Sequence, residues 1–469
     1  MFRPKKMPES PNTNSSSENP PENESSQLDF TPDFDATIKT LFWNSVGFFF
    51  FFFILVYATS SLMDASGTEQ GLVFSSMVLG GLISTPLSGY LTDKSSKKRL
   101  ILIGSFGRGV SYLVLYIAII FGSLVIFGIG NFILGFFVSL FWPPFSSLVS
   151  EKSHMTKRSE AFGKMNGIMG LGNLFGSLVS FAIFAMTNYF MTENTPIKML
   201  LQYFPLLLFA ASNFYAGIKF QTSVDEHITI DSLVQQNSPN RTSELSSKVG
   251  QANPNSNQKT PKGLLTGLLF LAAASFLAAV NITIADPFLQ RYLIEFIETD
   301  PNLVMLILFP SGVLSMLLSP QLGKFCDKIN PSIGTAVVAI MGAFFTWLLI
   351  NSPNGWVFAG LLILDAGFAQ AGGLISSNIS SRISKSHRGR VFGSITWISR
   401  VGAMIGPILG GYLWDTLGPE SPFVISIFVE IALIVPFLIA IRYLLLHMEE
   451  RIIPEPKRKR TLQQTIELS

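Results

Sequence analysis

Charged side chains within apolar stretches are where this sequence could do chemistry. Arg108, Asp365, Arg400 and Glu430 each interrupt such a stretch, and Asp286 stands near the end of another. A charge at the centre of a hydrocarbon layer costs at least ~2.5–3.5 kcal/mol, so a retained one reads as an ion pair, a proton carrier or a ligand contact. Asp365 and Arg400 lie about ten residues inside their stretches, ~15 Å deep at ~1.5 Å per residue. At that depth snorkelling does not readily rescue a charge. Two outcomes stay open for Asp365: it binds a substrate cation or proton, or it forms a salt bridge with Arg400. Glu430 can pair with Arg400 or titrate. Arg108 is only ~12 Å from one face, where snorkelling or packing accounts for it. Asn44, Asn131, Asn281 and Gln370 can contact substrate or hydrogen-bond between helices. The run Phe48 to Phe53 points every way around a helix. Most of its rings must meet lipid or neighbouring helices, and one or two can line an apolar cavity.

Other chemistries lack their residues. Cys326 is the single cysteine, so no intrachain disulfide is expected. His154, His227, His387 and His447 are scattered without ligand spacing, so no metal site is expected. No phosphate-binding loop of the G-x-x-x-x-G-K-[ST] type occurs, and no constellation supports enzyme activity or a cofactor. Residues 1–37 lack the apolar core of a signal peptide.

The elements that must hold these charges are membrane helices. Charged residues make up 13% of the 469-residue chain and hydrophobic ones 48%, against about 25% charged in soluble domains. Apolar runs long enough to cross a ~30 Å hydrocarbon core are expected near 41–62, 70–88, 100–120, 124–146, 161–186 and 198–220. Six more follow near 263–293, 302–320, 332–351, 355–379, 391–414 and 422–446. The seventh is overlong, and Asp286-Pro287 is expected to kink or end it. The expected fold class is an all-α membrane protein of twelve transmembrane helices in two six-helix bundles, 38–220 and 263–446. A disordered tail 1–37, a linker 221–262 and a basic tail 447–469 complete it, because their Ser, Asn, Pro and charge content cannot build a core. All but four of the 33 lysines and arginines fall on one side of this arrangement; Lys198 and Arg291 fall on the other, and Arg108 and Arg400 lie within spans. Positive charge stays cytoplasmic, so both termini and the linker are expected inside, with the lipid bilayer as partner. The +3 net charge follows from that topology and gives no reason to expect nucleic acid.

The chain also repeats itself. Thr85-Pro86-x-x-Gly89-x-x-x-Asp93-Lys94 returns as Ser319-Pro320-x-x-Gly323-x-x-x-Asp327-Lys328, 234 residues later. Arg158 to Gly163 returns as Arg388 to Gly393, 230 residues later, and Gly172 and Gly176 then align with Gly402 and Gly406. Two echoes at nearly one offset mean two copies of one six-helix unit. Gly89-x-Leu91-x-Asp93-Lys94-x-x-Lys97-Lys98 resembles the loop signature between helices 2 and 3 of the major facilitator superfamily, with Ser96 where that pattern has glycine. Gly323 to Lys328 resembles its weaker copy between helices 8 and 9.

The resemblance implies a secondary transporter of a small organic solute working by alternating access, monomeric and in the plasma membrane. It implies that Gly89, Asp93, Lys94, Lys97, Lys98, Gly323, Asp327 and Lys328 form a cytoplasmic latch that opens and closes during transport. It further implies that helices 1, 4, 7 and 10 line the central cavity, which singles out Asp365. Gly393, Gly402, Gly406-Pro407 and Gly410-Gly411 are similar to the antiporter motif of the superfamily's drug–proton exporters. That motif belongs to helix 5 there and to the eleventh span here. Small residues at this spacing also serve plain helix packing. Those exporters carry arginine in helix 4, four residues before a glycine, where this chain has Asn131 and Gly135; if that arginine tunes a proton-carrying acid, this chain must do so elsewhere or is not proton-coupled in that way. The expectation is therefore proton-coupled efflux of a drug-like compound, with protons as a second partner. The alternatives are an importer of a sugar or organic anion, with Arg400 as anion ligand, and a membrane sensor or assembly subunit that transports nothing.

Overall fold

The apolar stretches fold as helices whose ends are set by local chemistry. The computed structural model describes residues 29–191, 195–237, 262–310, 314, 330–382 and 388–445. The expectations for Gly323, Asp327 and Lys328, and for residues 1–28 and 446–469, lie outside the described residues. The first span is broken: α1 (Phe34–Asn44) and α2 (Phe48–Tyr57) meet at Gly47, whose φ of 77° only a residue without a side chain adopts at no cost. The Asn173 side-chain oxygen accepts the Phe49 N–H that the break leaves free, at 2.7 Å. In α3 (Gly67–Lys94), Ser66 and Glu69 form a reciprocal capping box. Ser96 caps α4 (Lys97–Ile120) by accepting the Arg99 N–H, which explains a serine at the position where the resembling pattern has glycine. Next come α5 (Leu124–Glu151), α6 (Arg158–Phe190), α7 (Pro196–Gln202), α8 (Pro205–Ser223) and α9 (Ile230–Asn237).

The second half repeats the plan. It comprises α10 (Lys262–Tyr292), α11 (Pro301–Pro310), α12 (Pro331–Ile350), α13 (Gly355–Arg382), α14 (Arg388–Leu417), α15 (Ser421–Ala432) and α16 (Ile434–Leu445). Asn330 caps α12 as Ser96 caps α4. The first span of each half ends in a π-helical turn, Ala58–Leu62 and Leu293–Ile297. Among the described residues, ten helices are long and apolar enough to cross a membrane. With α11 and α14 in the eighth and eleventh places, the order matches the twelve-helix expectation.

Three boundaries differ from the sequence reading. The first helix begins at Phe34, inside the stretch expected to be a disordered tail. Residues 29–33 pair with the α5–α6 connection: the Thr31 N–H donates to Lys152 O, and the His154 N–H to Asp29 O. The start of the 221–262 linker is likewise ordered, because it satisfies groups that the bundle leaves open. Glu226 accepts the Lys98 N–H at 3.0 Å and the Ser96 hydroxyl at 2.6 Å, at the N-terminus of α4. Burial works against that carboxylate, but these donors outweigh it and hold its pKa below the usual carboxylate range. Finally, Asp286-Pro287 does not end its helix; α10 runs to Tyr292 and on into the π turn.

Packing follows from small and aromatic residues, since lipid offers helices no hydrophobic incentive to associate. Phe50, Phe51, Phe53, Tyr112, Phe127, Phe184 and Phe209 fill the first half. In the equivalent places of the two halves, glycines let helices touch. A side chain at Gly172 or Gly176 would collide with Phe42 or Gly47, and one at Gly402 or Gly406 with Phe276 or Thr283. The halves meet along α3 and α14, where Gly71 lies on Pro407 and Gly411 on Gly67.

Candidate functional site

Two cavities hold the charges singled out by sequence. The central one, about 560 Å³, lies between the halves. Phe49, Phe52 and Phe53 of α2, Phe74 of α3 and Phe181 of α6 supply aromatic walls, and its charged residues are Asp286 and Arg400. The break at Gly47 sets the face that α2 turns inward, so the phenylalanine run contributes three rings here while Phe50 and Phe51 are buried in the first half.

Asp286 and Arg400 occupy different levels. Gly402 abuts Phe276, Gly406 abuts Val280 and Thr283, and Gly410 abuts Ile284. This register puts Arg400 about twelve residues below Asp286, ~18 Å along the helix axis. Gln290, one turn beyond Asp286, donates to Phe53 O at 3.2 Å. Asp286 therefore lies at the level of the phenylalanines, and Arg400 lower down. The Asp286 carboxylate is open to cavity space and has no hydrogen-bond donor among the described residues. Arg400 donates to the Ser139 hydroxyl at 3.2 Å, across the seam between the halves.

The second cavity, about 480 Å³, lies within the C-terminal half. Its walls carry Asp365, Glu430 and the other side of Asp286, with Ser275, Asn281, Thr346 and Ser426. Asp365 accepts from Thr346 at 3.3 Å. Glu430 and Asn281 line the same wall, and the Asn281 side-chain oxygen takes the Ser426 hydroxyl at 3.0 Å. Gly342 makes room for the Glu430 carboxylate, and any side chain there would strike it. Asp365 lies within electrostatic reach of both Asp286 and Glu430.

This geometry decides between readings that the sequence left open and moves one residue, Asp365, to a different cavity. Asp365 and Arg400 form no ion pair, and neither do Glu430 and Arg400; the acids face one cavity and the base the other. Asp365 lines the C-terminal-half cavity rather than the central one. Arg108 is 4% exposed and donates to Asn44 O at 2.6 Å, which favours packing, one of the two roles the sequence offered, over snorkelling. Asn131 is fully buried, donates to Val73 O at 2.7 Å and reaches neither cavity. The residue that sequence reasoning undervalued is Asp286, which lines both cavities. Its signal was the overlong seventh stretch, whose length leaves a full turn and more beyond the aspartate.

The loop signature lies at the end of the bundle that carries the basic loops. Lys97 pairs with Glu151 at 3.0 Å, Lys98 donates to Val224 O, and Lys94 donates to the Tyr90 hydroxyl at 2.9 Å. Asp93 is exposed without a partner among the described residues, and a side-chain carbon at Gly89 would meet nothing within 4 Å. The opposite end is fastened across the halves. Asp415 accepts from the Gly67 N–H, the Thr68 N–H and the Thr68 hydroxyl at 2.6–2.8 Å. Arg291 donates to Ala65 O and to the Gln70 side-chain oxygen, both at 3.0 Å.

The family model described as Major Facilitator Superfamily matches residues 40–217 and 271–466. The multidrug resistance protein MdtG of Escherichia coli is 24% identical over 374 residues, 76% of this chain and 80% of that protein. The class B tetracycline resistance protein of Escherichia coli is 27% identical over 160 residues, 34% of this chain; the match spans 39% of the length of that protein. Among solved structures, the nucleoside transporter NupG superposes with a TM-score of 0.62 at 13% identity, over 88% of this chain and 98% of that one. A D-xylose–proton symporter gives 0.61 at 14% identity, over 91% and 98%.

Proposed function

The chain belongs to the major facilitator superfamily, and from that premise we propose that this transporter exports a bulky organic cation in exchange for protons. One observation carries the reading: an open carboxylate, Asp286, level with three phenylalanines of α2 in a cavity between the halves. A desolvated cation gains both from the carboxylate and from aromatic faces, up to ~2 kcal/mol for each such face. Proton exchange then needs no separate machinery. A carboxylate that holds the cation when ionised releases it when protonated, and Asp365 behind Asp286 is positioned to carry the proton. The relatives named for multidrug and tetracycline resistance support efflux. The positive-inside rule assigns the basic end to the cytoplasm, so the fastened end faces outward and this conformation opens inward. On that assignment Asp93, which has no partner among the described residues, gains one in the outward-open state.

Arg400 supports a second reading. Its guanidinium carries five donors and lines the central cavity, as a ligand for an imported organic anion would. Reconstituted vesicles decide between the two. Ethidium should move up its gradient when a proton gradient is imposed, and Asp286→Asn should stop it. Proton-driven uptake of an organic anion that Arg400→Gln abolishes, with no ethidium movement, would replace the first reading by the second.

A further inference from the structure

The loop signature is held in place by a residue outside it. Below Ser88, whose hydroxyl donates to Leu140 O at 3.1 Å, α3 runs on to Lys94, about a turn and a half. Among the described residues, the side-chain hydrogen bonds of this stretch stay within α3, from Lys94 to the Tyr90 hydroxyl and from Thr92 to Ser88 O. Asp93 lies in this stretch and is exposed. Its direction is therefore set at the join to α4, which is only two residues long, Ser95 and Ser96.

The linker fixes that join. One oxygen of the Glu226 carboxylate accepts the Ser96 hydroxyl and the other the Lys98 N–H, while Ser96 Oγ accepts the Arg99 N–H. A carboxylate is favoured here by the unpaired N–H groups of a helix start and by the helix dipole. Glu226 is itself held on both sides. Asp225 O and Ile228 O accept from the buried Lys152 ammonium, and the Asp225 N–H donates to Asp33. The bases of the signature are engaged elsewhere: Lys94 with Tyr90, Lys97 with Glu151 and Lys98 with Val224 O. The Lys97–Glu151 pair is partly exposed, and such pairs contribute little. We propose that Glu226 is the positioning residue for Asp93, fixing the α3–α4 join so that the aspartate is aimed at the other half. Residues 224–228 then belong to the gate of the N-terminal half and are more than a tether. This inference rests on the reading of Asp93 as an acid that gains its partner in the outward-open state.

The test uses the full-length protein with Cys326 replaced by serine. A spin label at Ser95, exposed in the join, reports its order, and one at Leu417, exposed at the opposite end, is the control. Glu226→Ala should make the Ser95 label more mobile and leave the Leu417 label unchanged. Glu226→Gln, which keeps one acceptor oxygen, should do so to a smaller extent. A pair of labels at Lys219 and Ser394, both exposed towards the basic end, reports how often the halves close there. Asp93→Asn and Glu226→Ala should each reduce the short-distance population. The double variant should reduce it no further than Asp93→Asn alone, because a residue that acts through another adds nothing once that other is lost. A residue that only stabilises its own half would instead add its effect. An unchanged Ser95 label in Glu226→Ala, or an additive double variant, overturns the proposal. Distances unchanged in Asp93→Asn, beside a mobilised Ser95 label in Glu226→Ala, would overturn the latch and support the positioning, so the two readings fail separately.

Discussion

Arg108 and Asp286 are both charges inside membrane-length helices, yet their surroundings are opposites. Arg108, in the N-terminal half, is sealed between α1, α4 and the ring of Phe141 and donates to a backbone carbonyl. Asp286, in the C-terminal half, faces open cavity on two sides without a donor. The contrast extends across the halves. Asn131 of the first half is tied to Val73 O and Lys152 to Asp33, whereas Asp365 and Glu430 of the second half line a cavity. Two copies of one fold thus divide the work: the first fixes its polar groups, and the second leaves its carboxylates available. Removing a charge should then damage stability in the first half and binding in the second.

The largest effect is expected at Lys152. It is fully buried, pairs with Asp33 at 2.6 Å, and donates to the carbonyls of Asp225 and Ile228. Breaking a buried pair costs ~3–5 kcal/mol, so Lys152→Met should lower the melting temperature of the purified protein sharply. The same pair predicts a pH dependence. Burial raises the Asp33 pKa, but the Lys152 ammonium, the Thr31 hydroxyl and the Asp225 N–H outweigh it and hold the carboxyl below its ordinary value. A carboxyl lowered on folding contributes stability above its unfolded pKa and loses it as pH falls through the folded value. Acid melts should therefore show this loss in the wild type and not in Asp33→Asn. Identical acid profiles would break the comparison on the scaffold side.

Asp286→Asn is the counterpart. With no hydrogen bond to lose, the melting temperature should stay within a degree or two of wild type. Ethidium binding should weaken by roughly 30-fold, the lower end of the ~2–5 kcal/mol that truncating a buried charge pair costs. A protein that fails to fold, or one that binds ethidium normally, would show that Asp286 belongs with Arg108.

How much of this was legible in sequence depends on the coordinate asked for. Membership of a helix was readable, because residues from a span end convert to ångströms, and Asp365 and Arg400 do lie within their helices. Their relative level was not, since it depends on how neighbouring helices are registered. Azimuth was not. A one-residue step turns a helix by about 100°, and no count along the chain says which of two cavities a side chain enters. An Asp365–Arg400 pair that the counts allow is absent in space, because Arg400 lies about twelve residues below Asp286 and lines the other cavity. The twelve-helix plan came through because length and repeat offset determine it, and the two π turns and the Ser96 and Asn330 caps fall at matching places in the two halves. The ordered 29–33 and 224–228 segments were hidden because their order comes from long-range hydrogen bonds to Lys152 and the α4 N-terminus, which composition does not register.

The seam between the halves should respond more mildly. Asp415 fastens α14 to the start of α3 through three hydrogen bonds, and bonds to a charged group contribute ~1.5–3 kcal/mol. Asp415→Asn keeps the shape and weakens the fastening. Spin labels at Ser61 and Leu417, both exposed, in a protein with Cys326 replaced by serine, should then report a broader and longer distance distribution. An unchanged distribution would mean that glycine packing between Gly67 and Gly411 holds this end unaided.

The smallest effect separates the two conformations. Gly89 lies within α3, and a side chain there would meet nothing within 4 Å. Glycine inside a helix is destabilising by roughly 0.5–1 kcal/mol relative to alanine, so Gly89→Ala should raise stability by about that much. If Gly89 makes no close approach in either conformation, transport should match wild type. If it is kept for a close approach that forms in the outward-open state, the methyl group penalises that state alone. Turnover should then fall while the melting temperature rises, and Asp93→Asn should slow turnover in the same way without changing the melting temperature. Measured together, a stability gain paired with slower turnover would assign the signature to a latch that this conformation leaves open. A gain in stability at unchanged turnover in both variants would reduce the signature to loop chemistry that only sets orientation.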